Sequence, residues 1–188
     1  MTPPAALSFP DVTALEAWLE THHADTAGLW IKVAKKASGI PSPTAHEIID
    51  AALCFGWIDG QRRGLNATHY LQRITPRRPR STWSQVNVRK VEQLTTAGRM
   101  RPAGAAEISA AKADGRWDAA YESQREAVTP PELQAALATQ PDALRYFESL
   151  GKTDRYLAML PLLKATPARR PAQLTRVVDV LAQGRIPR

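Results

Sequence analysis

Cysteine occurs once, at Cys54, which rules out an internal disulfide and any zinc site built from cysteines. Histidine is almost as scarce. His22, His23, His46 and His69 show no metal-ligand spacing, and the adjacent pair diverges by roughly 100° around a helix. There is no Gly-x-x-x-x-Gly-Lys-Ser/Thr phosphate loop, no Gly-x-Gly-x-x-Gly, no Gly-x-Ser-x-Gly and no His-Glu-x-x-His. Neither a cofactor nor a metal is therefore expected. No apolar run approaches the ~18 residues that cross a bilayer, so no membrane span is expected. Met-Thr-Pro-Pro-Ala-Ala-Leu at the start has no basic region ahead of an apolar stretch, and with a lone cysteine the expected compartment is the reducing cytoplasm.

Acidic residues are missing from one place in particular. Between Asp59 and Glu92 the chain carries Arg62, Arg63, Arg73, Arg77, Arg78, Arg80, Arg89 and Lys90 and no Asp or Glu. The formal charge of the 188 residues is +7, so these eight cations leave the rest nearly neutral. Positive charge gathered in one segment concentrates anions there, whereas evenly spread charge mainly sets solubility.

What is present points to an α+β fold, mostly helical, with a small β-sheet in the N-terminal part and a C-terminal helical bundle. Thr13 with Glu16 reads as a capping box ahead of Leu15, Trp18, Leu19 and His22, ending near His23. Residues 29–36 alternate as a half-buried strand. Thr44 with Glu47 opens a second helix carrying Ile48, Ile49, Ala52 and Leu53. Gly56, Gly60 and Gly64 suggest a turn. Residues 70–77 read as a strand that lies at an edge or ends at Pro76. Ser84 caps a helix reaching to about Ala97, with Gly98 as its stop, and Pro102 begins another that Gly115 ends. From Pro130 onward every apolar stripe has helical period. The expected organisation is an N-terminal α+β domain over 1–125 and a helical region over 126–188.

Two devices for holding an anion fall close together. On the 70–77 strand Arg73, Thr75 and Arg77 share a face, offering two guanidinium forks and a hydroxyl. The start of the Ser84 helix presents free amides and a positive dipole end. With Arg78, Trp57, Trp83 and an inward-facing Asn87, they form the candidate ligand set; Asp59 heads the segment as an arginine partner or a proton acceptor. The plain alternative is structural: arginines paired with Asp50, Asp59 or Glu92, and Asn87 serving loop backbone. His22 and Cys54 read as packing residues.

Ala52-Leu53-Cys54-Phe55-Gly56-Trp57-Ile58-Asp59-Gly60-Gln61, then Tyr70-Leu71-Gln72-Arg73-Ile74-Thr75-Pro76-Arg77-Arg78 and Trp83-Ser84-Gln85-Val86-Asn87, resemble the YdeI/OmpD-associated family, also called bacteriocin-protection proteins. Gly98-Arg99-Met100 and Gly115-Arg116-Trp117 extend the resemblance, and residues 131–184 look like the family's C-terminal portion. Ala-Thr-Pro-Ala-Arg-Arg-Pro at 165–171 departs from its usual pattern. The resemblance implies stress or antimicrobial tolerance and supplies no catalytic residues. Three functions remain open: binding of an anionic small molecule, binding of nucleic acid through the basic segment, and catalysis with Asp59 as acid or base.

Overall fold

A computed structural model describes residues 5–25 and 27–187. Two compact units emerge, one formed by Met1–Pro79 and Arg89–Ala110, the other by Arg80–Val88 and Ala111–Arg188.

In the first unit α1 (Val12–His22) is capped by Asp11, whose carboxylate accepts from the Ala14 amide at 2.9 Å. The expected Thr13/Glu16 box is corrected accordingly: the chain turns helical one residue before Thr13, and Asp11 reaches the third amide instead. In α2 (Ala45–Cys54) the Thr44/Glu47 box forms in both directions. Between them runs β1 (Leu29–Ala34), with Leu29, Ile31 and Val33 buried as alternation requires.

Two further strands complete an antiparallel sheet of order β1-β3-β2: β2 (Trp57–Gly64) and β3 (His69–Pro76). The segment read as a turn is thus a strand. Its glycines and arginines carry little strand propensity, and pairing with β3 imposes the extended state. Gly56 alone makes the turn, at φ 76°, where a Cβ would come 3.0 Å from the Ala103 carbonyl oxygen. β3 lies at the centre, not at an edge. Pro76 is tolerated because the strand ends on it. The β2–β3 register shifts between Asp59 and Arg62. Leu15, Leu19, Ile31, Val33, Ile48, Ala52, Leu53 and Ile74 make the core.

Helices α3 (Gln85–Thr96) and α4 (Pro102–Ala113) each contribute residues to both units. Gly104 of α4 lets the helix backbone pass against Cys54: a Cβ there would fall 2.2 Å from the Cys54 carbonyl oxygen. In the second unit α5 (Pro131–Ala138), α6 (Pro141–Ser149), α7 (Lys152–Leu163) and α8 (Arg170–Ala182) enclose Leu133, Leu137, Phe147, Met159, Leu162, Val177 and Leu181. A single 3-10 turn, Pro167–Arg169, leads into α8. No helix among the described residues is long and apolar enough to cross a membrane.

Candidate functional site

The sequence-derived residues fall into both units. In the first, Trp57 is 1% exposed and its indole donates to the His23 carbonyl at 2.8 Å, edge-on to Trp18 at 6.2 Å. That is a satisfied core tryptophan. Asp59 is half-buried and pairs across the sheet with Ile74, as Ile58 does with Thr75. The Arg73 guanidinium donates to the Ala27 carbonyl at 3.2 Å and lies over Trp30 at 5.7 Å, where Arg63 also lies, at 5.0 Å. Arg62 donates to Gln72 at 3.1 Å and covers Tyr70 at 4.7 Å. Past the strand end, Arg77 is only 7% exposed and its amide donates to the Gly56 carbonyl at 3.1 Å, while Arg78 is exposed. Alternation therefore holds for Arg73 and Thr75. Arg77 has already left the strand.

Asp50, one of the acids that the structural alternative named for the arginines, is reached by Lys90 at 2.6 Å. His22 stacks on Trp18 at 4.3 Å and its Nδ1 lies 2.9 Å from the Trp18 carbonyl oxygen. Cys54 is buried, and desolvation pushes its thiol up to about 11, so it is no nucleophile at neutral pH.

In the second unit Trp83 is buried against Trp117, ring centroids 5.0 Å apart. Ser84 caps α3, its hydroxyl accepting from the Asn87 amide at 3.3 Å. Asn87 itself is half-buried. Backbone bonds from Tyr121 to Trp83 (3.0 Å) and from Gln85 to Tyr121 (2.9 Å) hold the start of this helix against the 117–121 segment. Arg116, 7% exposed, adds the next tie. Its Nη1 donates to the Ser81 carbonyl at 3.0 Å and its Nε to Asp114 at 2.7 Å, a bond that holds the Asp114 carboxyl below its ordinary value.

These ties shape one wall of a cavity of about 370 Å³. Arg80, Thr82, Arg116, Lys164, Arg169 and Gln173 bring its polar groups, and Asp114, the one acid in its wall, is paired with Arg116. Four cationic residues thus line the space with a single acid, and one of them, Arg116, is already held by that acid and by the Ser81 carbonyl. Arg80 sits at φ 71°, the one positive value among the described residues other than glycine. Such a backbone costs of order 1–3 kcal/mol and persists where surrounding structure enforces it, often at ligand sites. The Lys164 ammonium rests 4.8 Å from the Tyr121 ring centroid. The wall offers hydrogen-bond donors and positive charge but no histidine and no thiol, which suits anion binding better than proton transfer. Among the described residues no group of three His, Cys, Asp or Glu side chains is placed to hold a metal ion.

None of the nine residues of the candidate ligand set lines this cavity; the basic segment supplies Arg80 to it, and Arg116, Lys164 and Arg169 reach it from distant segments. One signal was available. Residues 165–171, where the chain departs from the family pattern, supply Ala165, Thr166 and Arg169 to the wall.

Comparison with family models gives two matches: residues 7–107 fit a domain of unknown function (DUF8412), and residues 126–184 fit the family described as bacteriocin-protection, YdeI or OmpD-associated. No curated protein and no solved structure matches the chain. The motifs quoted above for the resemblance lie within or beside the first match, while the second falls on α5 to α8. With the first match covering more than half its length, the chain belongs to the DUF8412 family, and its C-terminal helices are similar to the family described as bacteriocin-protection, YdeI or OmpD-associated.

Proposed function

We propose that this is a cytoplasmic stress- or antimicrobial-tolerance protein that acts by binding an anionic small molecule. The family description motivates the biological role. The observation that carries the chemistry is the cavity walled by Arg80, Arg116, Lys164 and Arg169 around one paired carboxylate. Guanidinium forks on a fixed wall bind phosphate or carboxylate in two-point fashion, and Thr82 and Gln173 add neutral donors. Trp83, Ser84 and Asn87 then serve the site by fixing the helix start behind the Arg80 loop. Arg73, Thr75 and the exposed Arg78 offer a second anion-attracting surface within this reading, while Trp57 and Arg77 are buried and Asp59 is half-buried.

The test is calorimetric titration with inorganic phosphate, pyrophosphate and citrate at low salt. Micromolar to millimolar binding that weakens about tenfold or more in Arg169→Ala supports the reading. Absence of binding by all three anions, or an unchanged affinity in Arg80→Ala and Arg169→Ala, overturns it. Nucleic acid is the second reading, favoured by the exposure of Arg62, Arg63, Arg78, Arg80 and Arg89. It requires oligonucleotide affinity that falls steeply with salt.

A further inference from the structure

We propose that the ligand is an anionic amphiphile, with a phosphate-like head in the cationic cavity and a short aliphatic tail in a second, apolar cavity beside it. This inference rests on the anion-binding reading and adds the tail. The second cavity, about 530 Å³, is lined by Leu157, Leu160, Pro161, Lys164, Ile186 and Pro187. Pro161 and Lys164 belong to both walls, so the two spaces adjoin at the C-terminal end of α7.

Each shared residue suits a boundary between charge and hydrocarbon. Pro161 stands inside a helix with no amide to donate, so its ring presents only carbon to either side, and the Leu157 carbonyl loses its usual helical partner. Lys164 combines a four-carbon stem with a terminal charge that rests on the Tyr121 ring. Along the apolar wall Leu157 is 43% exposed and Leu160 is half-buried, and neither joins the core built on Leu133, Phe147, Leu162 and Val177. Apolar side chains left open to water next to clustered cations are matched by a molecule whose hydrocarbon adjoins a negative charge. A neutral lipid would leave the cations unmet, and a bare anion would leave the leucines wet.

The test is a length series on the whole chain, each compound below its micellar concentration: inorganic phosphate, then butyl, hexyl and octyl phosphate, with 1-octanol as the uncharged control. Affinity should climb by up to about fourfold for each methylene buried, so octyl phosphate should bind at least about tenfold more tightly than inorganic phosphate. Leu157→Ser, at an exposed position that tolerates substitution, should flatten the climb, and circular dichroism checks that it folds. Equal affinity across the phosphate series overturns the tail and leaves the anion site standing. Octanol binding as tightly as octyl phosphate overturns the joined site, because charge would then contribute nothing. Failure of every phosphate in the series removes the anion-binding reading as well.

Discussion

Arginine does different work in the two units. On the β2–β3 hairpin Arg62, Arg63 and Arg73 lie over aromatic rings or donate to fixed protein acceptors, so much of their interaction capacity is already engaged. In the second unit Arg80 and Arg169 are exposed along an open volume whose one acid is already held by Arg116. Clustering in the sequence shows where the charge is. Only the environment of each guanidinium shows whether it is committed to the fold or faces a space a ligand can fill.

The contrast is most severely tested by the residues that hold the first unit together. Trp57→Ala removes a buried indole and its bond to His23, and should cost about 3–5 kcal/mol in denaturant unfolding. A loss below 1 kcal/mol would mean that Trp57 is not a core residue. Gly104→Ala forces a methyl against the Cys54 carbonyl and should destabilise by about 1–3 kcal/mol, read as a lowered Tm. Arg80→Gly should separate stability from binding. Relief of the positive φ should raise stability by about 1 kcal/mol, while phosphate affinity falls. If both fall together, Arg80 is a structural residue like those of the hairpin. Arg63→Ala, which removes a cation from an exposed ring face, should change stability by less than about 1 kcal/mol and leave phosphate affinity alone.

The smallest effect is a pH response at Cys54. Its folded thiol is raised above the ordinary 9.0 to about 11 by burial, so the unfolded chain loses its proton first. The stabilising contribution is complete below pH 9 and declines as pH rises toward 11. Cys54→Ala should remove that slope. A slope that survives the substitution would assign it to another group.

Local chemistry was readable where it was self-contained. Alternation in Leu29, Ile31 and Val33, the reciprocal box of Thr44 and Glu47, and the Ser84 cap each depend on residues within a few positions, and each formed. β2 escaped because nothing in Gly60, Arg62, Arg63 or Gly64 favours a strand until β3 supplies partners. The cap of α1 was misplaced by two residues because Thr13 and Asp11 are both competent and only the helix start chooses between them. For the cavity the limit was similar. The Arg80 loop stood out by its charge, but Arg116, Lys164 and Arg169 converge on it only through the packing of the second unit, which no local pattern encodes.

The slip between Asp59 and Arg62 decides which surface each hairpin arginine serves. Asp59 faces Ile74 and Arg62 faces Gln72, so three steps along β2 match two along β3, and the buried Gln72 amide fills the gap by donating to the Gly60 carbonyl at 3.4 Å. Side chains alternate strictly, so closing the slip with every residue kept would turn the rest of the strand over. Arg62 would move opposite Leu71, onto the Trp30 side, and Arg63 opposite Tyr70. The hairpin would keep its composition and its charge, with its two faces exchanged.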